Sequence, residues 1–186
     1  KKCSESLNPE IAILGNSYAM TWVNSIKKRY DKKIVQLTQD SCALGFVDRV
    51  KDIGSMTCEN FYTKSIDTIS KTNSINKVIL SSNFNKEINN DLFIESFKEL
   101  LFKLNNKNII IIGPTPKAPF NVGECFVKKE FLLSDSSCDF LLPPDHKSKI
   151  MRISKILENI KNVKFIDITD TICPDNYCSM KPNDNV

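Results

Sequence analysis

The sequence has no apolar run long enough to cross a membrane. Its longest uncharged apolar stretch, Ile109 to Gly113 with its flanks, falls far short of the roughly 20 residues that a membrane helix needs. The first ten residues are polar, which is not the pattern of a signal peptide. We therefore expect the chain to be a piece of a longer polypeptide, with any targeting or membrane segment upstream of it.

Glycine and histidine are also scarce, with 5 Gly and one His in 186 residues. The phosphate-binding loops G-x-x-x-x-G-K-S/T and G-x-G-x-x-G are missing, and so is the G-x-S-x-G turn of the α/β-hydrolases. The closest cysteine spacing is C-x4-C, and the only histidine, His146, stands apart from every cysteine. The sequence therefore predicts no zinc site, and we expect the domain to bind no metal and no cofactor of its own.

Charge of one sign is not concentrated anywhere in the chain. The 26 Lys and Arg exceed the 22 Asp and Glu by four. They form no long basic block with interleaved aromatic residues, so we expect no nucleic-acid partner. The length and the 41% of hydrophobic residues are those of one globular domain that buries a substantial core.

Cysteine, in contrast, is plentiful, and the seven positions are Cys3, Cys42, Cys58, Cys125, Cys138, Cys173 and Cys178. All seven lie outside the apolar segments that we expect to be buried, which favours disulfides and an oxidising compartment over reduced, unrelated thiols. The near pairs are Cys42 with Cys58, Cys125 with Cys138 and Cys173 with Cys178, but the sequence leaves the connectivity open. Cys3 is then left as a free thiol, as the partner of a residue elsewhere, or as a replacement within one of these pairs.

Apolar segments alternate between strand-like and helix-like spacing along the whole chain. Helical spacing predicts helices over residues 19–29, 61–69, 93–104 and 150–160. Short continuous apolar runs predict five strands, at 11–14, 33–37, 78–80, 109–112 and 163–166. This alternation indicates an α/β fold, a doubly wound, flavodoxin-like sandwich with a five-stranded, mostly parallel sheet and helices on both faces. Residues 114–147 are the one long irregular stretch, and such loops are often functional.

Polar residues follow the first and third predicted strands, at the edge where open α/β sheets bind ligands. Ser17 lies where a strand turns into a helix, so backbone N–H groups and the helix dipole favour an anion beside its hydroxyl. Asn83 follows the third strand and is a candidate to point its amide to the same place. Both residues also have a structural interpretation, since serine commonly caps helices and asparagine commonly forms turns.

Five segments at the strand ends carry a resemblance to a known family, and they are IAILGNSYA at 11–19, SCALGF at 41–46, VILSSNF at 78–84, IIIIGPTP at 109–116 and FIDITDTICPDNYC at 165–178. In this order they resemble the SGNH (GDSL-type) hydrolase domain over nearly the whole chain. More narrowly, they resemble the version fused behind the membrane-embedded acyltransferase-3 domain of bacterial O-acetyltransferases that modify surface glycans. Residues 1–186 are then expected to be a single SGNH-like domain, cut from a larger membrane protein and lacking its C-terminal end.

The resemblance implies an acyltransferase or esterase in which Ser17 is the nucleophile and an oxyanion N–H donor, with Asn83 as a further donor. It implies a domain on the periplasmic face of the bacterial inner membrane, where an acetyl group passes through a serine acyl-enzyme to a hydroxyl of a surface glycan such as O-antigen lipopolysaccharide. The implied partners are that glycan acceptor and an N-terminal membrane acyltransferase domain. This membrane domain would deliver acetyl groups derived from acetyl-CoA.

The sequence departs from the family pattern at the first two blocks. Asn16 replaces the usual Asp of the G-D-S motif and Tyr18 replaces its frequent His, but neither residue carries the attacking atom. The glycine of the family's second block has either Ser41 or Gly45 as its counterpart in the loop after the second strand.

The base of the reaction is the largest departure. The family takes its base and orienting acid from a D-x-x-H motif after the last cysteine pair, and the sequence reaches Val186 without one. A serine without a positioned base is a weak nucleophile, so we expect the Asp and His beyond Val186; without them the domain is inactive. His146 is a lesser candidate because a polar histidine that opens a helix is usually solvated, and Asp167 and Asp170 fit loop and capping carboxylates better.

Two other functions remain open at this point. A carbohydrate esterase would use water in place of the sugar hydroxyl as the acceptor. A catalytically inactive module that binds glycan or docks a membrane domain is the alternative from a different class.

Overall fold

The computed structural model describes residues 8–29, 33–45, 57–82, 84, 87–131 and 137–180. In chain order the elements in these ranges are β1 (Ile11–Gly15), α1 (Ser17–Arg29), β2 (Ile34–Thr38), α2 (Cys58–Lys71), β3 (Lys77–Ser81), α3 (Asp91–Lys103), β4 (Asn108–Ile112), α4 (Val122–Phe131), β5 (Phe140–Leu141), α5 (His146–Leu157), β6 (Val163–Ile166), α6 (Thr169–Ile172) and β7 (Tyr177–Cys178). Short 3-10 turns cover Glu87–Asn89 and Pro174–Asn176. Within these ranges, no helix has the length and apolar character to cross a bilayer.

Five strands form one parallel sheet in the order β2-β1-β3-β4-β6. This is the flavodoxin-like order, and its five strands lie where the apolar runs of the sequence predict them, so the predicted fold class is confirmed. Gly15 at the end of β1 pairs with Thr38 of β2 and with Ser81 of β3. The carboxyl ends of these three strands are therefore level, and the loops that follow them share one edge of the sheet.

Helices cover both faces of this sheet because successive side chains of a strand point to opposite sides. Ile11 and Ile13 pack beneath Ala19 and Val23 of α1 on one face. On the other face, α2, α3 and α5 enclose a larger core whose fully buried side chains include Tyr62, Phe97, Leu100, Ile69 and Ile153.

The segment 114–147 is not the wholly irregular loop that the sequence predicts. It contains α4 and β5, and β5 pairs antiparallel with β7 near the end of the described chain. α4 buries none of its side chains fully: its apolar residues Val122, Cys125 and Phe126 have helical spacing but are only half-buried, which leaves a short, weak pattern in the sequence. Its link to the rest of the protein includes the disulfide between Cys125 and Cys138.

Three disulfides join Cys42 with Cys58, Cys125 with Cys138 and Cys173 with Cys178. These are the three pairs that lie close together in the sequence, while Cys3 lies outside the described residues. Three of the six bridged cysteines lie in helices or strands beyond the apolar segments of the sequence, since Cys58 begins α2, Cys125 lies in α4 and Cys178 ends β7. All three bridges join segments that follow the carboxyl ends of sheet strands.

Candidate active site

Ser17 is the first residue of α1 and is exposed to solvent. The backbone N–H groups of Ala19 and Met20 donate to the carbonyl oxygen of Asn16, at 2.9 and 3.3 Å, which starts the helix. Within the described part of the chain, neither the hydroxyl nor the N–H of Ser17 has a hydrogen-bond partner. Both groups are therefore available at the same point for a ligand atom, the oxygen to attack and the N–H to stabilise negative charge.

Gly15 sets the position of this turn because nothing larger fits there. Its φ is +152°, and a Cβ at this position would lie 2.1 Å from the carbonyl oxygen of Ser81. The missing side chain lets the end of β1 lie against the end of β3. The chain turns out of the sheet directly after this contact, through Asn16 and into α1 at Ser17.

Asn16 fixes the turn from inside, through both ends of its amide. Its Oδ1 accepts from the backbone N–H of Tyr18 at 3.1 Å, which caps α1, and its Nδ2 donates to the Ser82 hydroxyl at 2.9 Å. Asn16 and Ser82 are both buried. The side chain that replaces the family's Asp thus ties the Ser17 turn to the loop after β3, and it adds no negative charge beside the Ser17 N–H.

The charges of α1 leave its N-terminus electropositive. The first turn contains no acidic residue, and the last turn contains Lys27, Lys28 and Arg29. The cations stabilise the negative end of the helix dipole, while no carboxylate of the first turn neutralises the positive end. An oxyanion that forms at Ser17 is therefore favoured by the helix as well as by the free N–H.

The other predicted members of the site have different outcomes. Asn83 lies outside the described residues, directly after the buried Ser82. Ser41 is an exposed residue with a φ of 61°, and its hydroxyl donates to the Asp40 carboxylate at 3.3 Å. Gly45 is buried with a φ of +125°, and a Cβ there would lie 2.6 Å from the Ser96 hydroxyl of α3.

His146 is buried, with 2% of its surface exposed, which corrects the expectation of a solvated side chain. Its Nε2 lies 3.0 Å from the Thr169 hydroxyl, and that hydroxyl donates its one hydrogen to Oδ1 of Asp167. Nε2 must therefore carry a proton and donate it to Thr169, so its lone pair is not free. Burial, the largest cause, lowers the pKa of His146 below its usual value of 6.5.

Within the described residues, no hydrogen bond joins His146 to Ser17. Its partner Thr169 follows β6, three strands from β1 in the sheet order, and the adjacent Ile168 packs in the cluster that contains Ala19 of α1. Asp167 also accepts from the Thr169 N–H and so caps α6, as the sequence suggests. Asp170 is exposed in the first turn of α6.

Sequence reasoning missed Ser82 and Thr169. Ser82 lies within a segment that resembles the family, and its place directly after a strand is a signal that could have found it. Thr169 also lies in such a segment, three residues after β6, but its contact with His146 joins residues that are 23 positions apart and no local pattern predicts it.

The parallel sheet in the order β2-β1-β3-β4-β6, with helices on both faces, defines a doubly wound α/β domain. The chain belongs to the family of SGNH domains fused to AT3 domains, whose sequence profile matches residues 2–186. Membership in this family supports an esterase or acyltransferase kind of activity. No curated protein sequence matches the chain.

Two solved structures share the fold. The periplasmic domain of a lipopolysaccharide acetyltransferase from Salmonella ser. Paratyphi A superposes with a TM-score of 0.73 at 19% identity, over 99% of this chain and 75% of that one. A protein described as a platelet activating factor from Streptococcus pneumonia superposes with a TM-score of 0.57 at 8% identity, over 96% of this chain and 75% of that one. At these identities the likeness is one of fold.

Proposed function

We propose that this domain transfers an acetyl group through Ser17 to a hydroxyl of a bacterial surface glycan. The observation that carries the proposal is the turn at Ser17. Its exposed hydroxyl and its N–H, neither of which has a partner among the described residues, lie together at the N-terminus of a capped helix. The family supports this chemistry, and the Salmonella structure, an acetyltransferase domain acting with lipopolysaccharide by its description, supports a glycan acceptor.

The reaction has two steps: the acyl group is first transferred to Ser17 Oγ and is then transferred from Ser17 Oγ to the sugar. Ser17 Oγ attacks the acyl carbonyl while a base takes its proton, and the acyl group then separates from the protonated donor to leave an ester on Ser17. A sugar hydroxyl attacks this ester, gives its proton to the base, and leaves with the acyl group as Ser17 regains a proton. The Ser17 N–H stabilises the oxyanion in both steps, and we place Asn83 as the second donor.

The base and its acid partner belong, in this proposal, to the chain beyond Val186. His146 does not suit the role, because its Nε2 already donates to Thr169 and, within the described residues, it makes no hydrogen bond to Ser17. The domain itself binds no cofactor in this scheme. It receives acetyl groups that derive from acetyl-CoA through an N-terminal membrane domain, on the periplasmic side of the inner membrane.

The test uses the protein to the end of its gene and a small activated ester, p-nitrophenyl acetate. We expect a burst of p-nitrophenolate and an acetyl adduct on the peptide that contains Ser17, both absent in Ser17→Ala. Ser25→Ala removes an exposed serine of the same helix and is the matched control. A burst that persists in Ser17→Ala contradicts the proposal.

The acceptor is tested separately, with surface polysaccharide from the producing cells after mild base has removed its acetyl esters. Transfer to the polysaccharide in excess of hydrolysis supports a transferase. Hydrolysis that is unaffected by the polysaccharide supports the esterase instead.

A further inference from the structure

The ribbon of β5 and β7 has a buried side and an exposed side. Phe140 pairs with Cys178, and both are buried in a small cluster against Ala118 and Ile172. On the other side of the ribbon, Leu141 and Tyr177 are directly opposite each other, with 73% and 47% of their surfaces exposed. An aliphatic side chain and an aromatic ring thus lie side by side in solvent.

Tyr177 is held in place although it is exposed. Its hydroxyl donates to Asp139 Oδ2 at 2.9 Å, and the same carboxylate accepts from the Ser137 hydroxyl at 2.7 Å and the Met180 N–H at 2.8 Å. These donors, the Met180 N–H foremost, lower the pKa of Asp139 to about 2, so it remains an ionised acceptor at neutral pH. A ring fixed in this way loses little conformational freedom when a ligand binds it.

Two disulfides hold the strands of the ribbon. Cys138 lies two residues before β5 and is bonded to Cys125 of α4, and Cys178 of β7 is bonded to Cys173 after α6. A two-stranded ribbon is only marginally stable by itself, so these bonds and the buried cluster keep its exposed side in one shape.

The ribbon lies on the same edge of the sheet as Ser17. The residues on which it packs, Ala118 and Ile172, each come six positions after the end of a sheet strand, β4 and β6 respectively. β4 is two strands from β1, which places their carboxyl ends about 10 Å apart. Ile172 also packs against the cluster that contains Ala19 of α1, two residues after Ser17, so one side chain contacts both the ribbon cluster and the core beneath α1. An oligosaccharide at Ser17 can extend over these neighbouring segments toward the ribbon.

We propose that Tyr177 and Leu141 form an acceptor platform, on which a sugar ring of the glycan packs its C–H face while a neighbouring sugar presents its hydroxyl to Ser17. The inference rests on the proposed function. The polar residues around the Tyr177 ring, Ser137 and Asp139, suit the hydroxyl groups at the edge of a sugar ring. The negative charges of Asp139 and Asp175 close by in the chain are repelled by an anionic lipid surface.

The test compares acetylation of Ser17 with transfer to the de-O-acetylated polysaccharide in the full-length protein. Tyr177→Ala is expected to raise the acceptor KM about tenfold, the size of one good aromatic contact, and to leave the p-nitrophenyl acetate burst unchanged. Tyr177→Phe keeps the ring and is expected to restore most of the acceptor affinity. Phe102→Ala removes an exposed ring near the end of α3, at the opposite edge of the sheet, and is the matched control.

Two results overturn the platform. Either the acceptor KM stays unchanged in Tyr177→Ala, or this variant weakens the burst as well as raising the KM. If the KM is unchanged and Tyr177→Ala lowers binding to anionic liposomes, the surface binds a membrane instead. Binding of the polysaccharide to Ser17→Ala, with and without Tyr177→Ala, separates this inference from the proposed function because it requires no turnover. Binding that Tyr177→Ala does not weaken in that background rejects the platform even if Ser17 proves to be the nucleophile.

Discussion

The hydrogen bond between Asn16 and Ser82 predicts an energetic coupling between the nucleophile turn and the loop after β3. Asn16→Ala removes the cap of α1, at about 1 kcal/mol, and leaves the buried Ser82 hydroxyl without its partner, at about 1–3 kcal/mol. The free energy of unfolding should therefore fall by about 2–4 kcal/mol. Ser82→Ala leaves only the Asn16 amide unpaired and should cost about 1–3 kcal/mol.

The double variant isolates the bond itself. Once Asn16 is Ala, removal of the Ser82 hydroxyl leaves no polar group unpaired, so the double variant should lose only the cap of α1, about 1 kcal/mol. The two single losses together should exceed this double loss by at least about 2 kcal/mol. Urea unfolding with the disulfides intact measures all four proteins, and Ser70→Ala, an exposed serine of α2, should change stability by less than about 0.5 kcal/mol.

The same variants report on chemistry. Because Asn16 orients Ser17, Asn16→Ala should also slow the acetylation burst, and Ser82→Ala should slow it less since the cap of α1 remains. Additive losses of stability, with no coupling between Asn16 and Ser82, would refute the role that we assign to this bond.

Two further predictions concern the frame of the site. Folding lowers the pKa of His146, so the unfolded chain binds a proton at this residue first as the pH falls. The contribution of His146 to the free energy of unfolding should therefore be complete above about pH 6.5 and decline below it. Urea unfolding of His146→Gln at a series of pH values should lack that part of the decline. Gly15→Ala should destabilise by more than about 2 kcal/mol because its Cβ would meet the Ser81 carbonyl, whereas Gly123→Ala, whose Cβ meets only a side-chain oxygen at 3.5 Å, should stay within about 1 kcal/mol. Equal thermal stability of the two glycine variants, or a pH profile unchanged in His146→Gln, would contradict these expectations.

The sheet was predictable because its three central strands contain continuous apolar runs, which is the pattern of a strand buried on both faces. The edge strands β2 and β6 are shorter apolar patterns interrupted by Gln36 and Lys164, and they are only partly buried. β1 at Ile11–Gly15 and β4 at Asn108–Ile112 are examples, and their positions follow from local sequence alone. α4 was harder to predict, because its apolar residues Val122, Cys125 and Phe126 span little more than one helical turn and are only half-buried.

The candidate site was predictable only in part. Ser17 is marked by its place between an apolar run and a helix, which is a local feature. The bond of Asn16 to Ser82 depends instead on the register that pairs Gly15 with Ser81, and two segments 66 residues apart must meet to form it. The burial of His146 likewise depends on Thr169, so its polar neighbours in the sequence, Asp145 and Lys147, give the wrong impression of a solvated residue.

The placement of the disulfides has a practical consequence for anyone who purifies this domain. Packing alone holds the sheet together, whereas covalent bonds fasten the loops around the edge that carries Ser17 and Tyr177. Material made in a reducing cytosol should thus give a circular dichroism spectrum close to that of the native protein, although the loops around this edge are no longer held by disulfides. A lack of activity in such a preparation would reveal its oxidation state and would say nothing about the chemistry encoded in the gene.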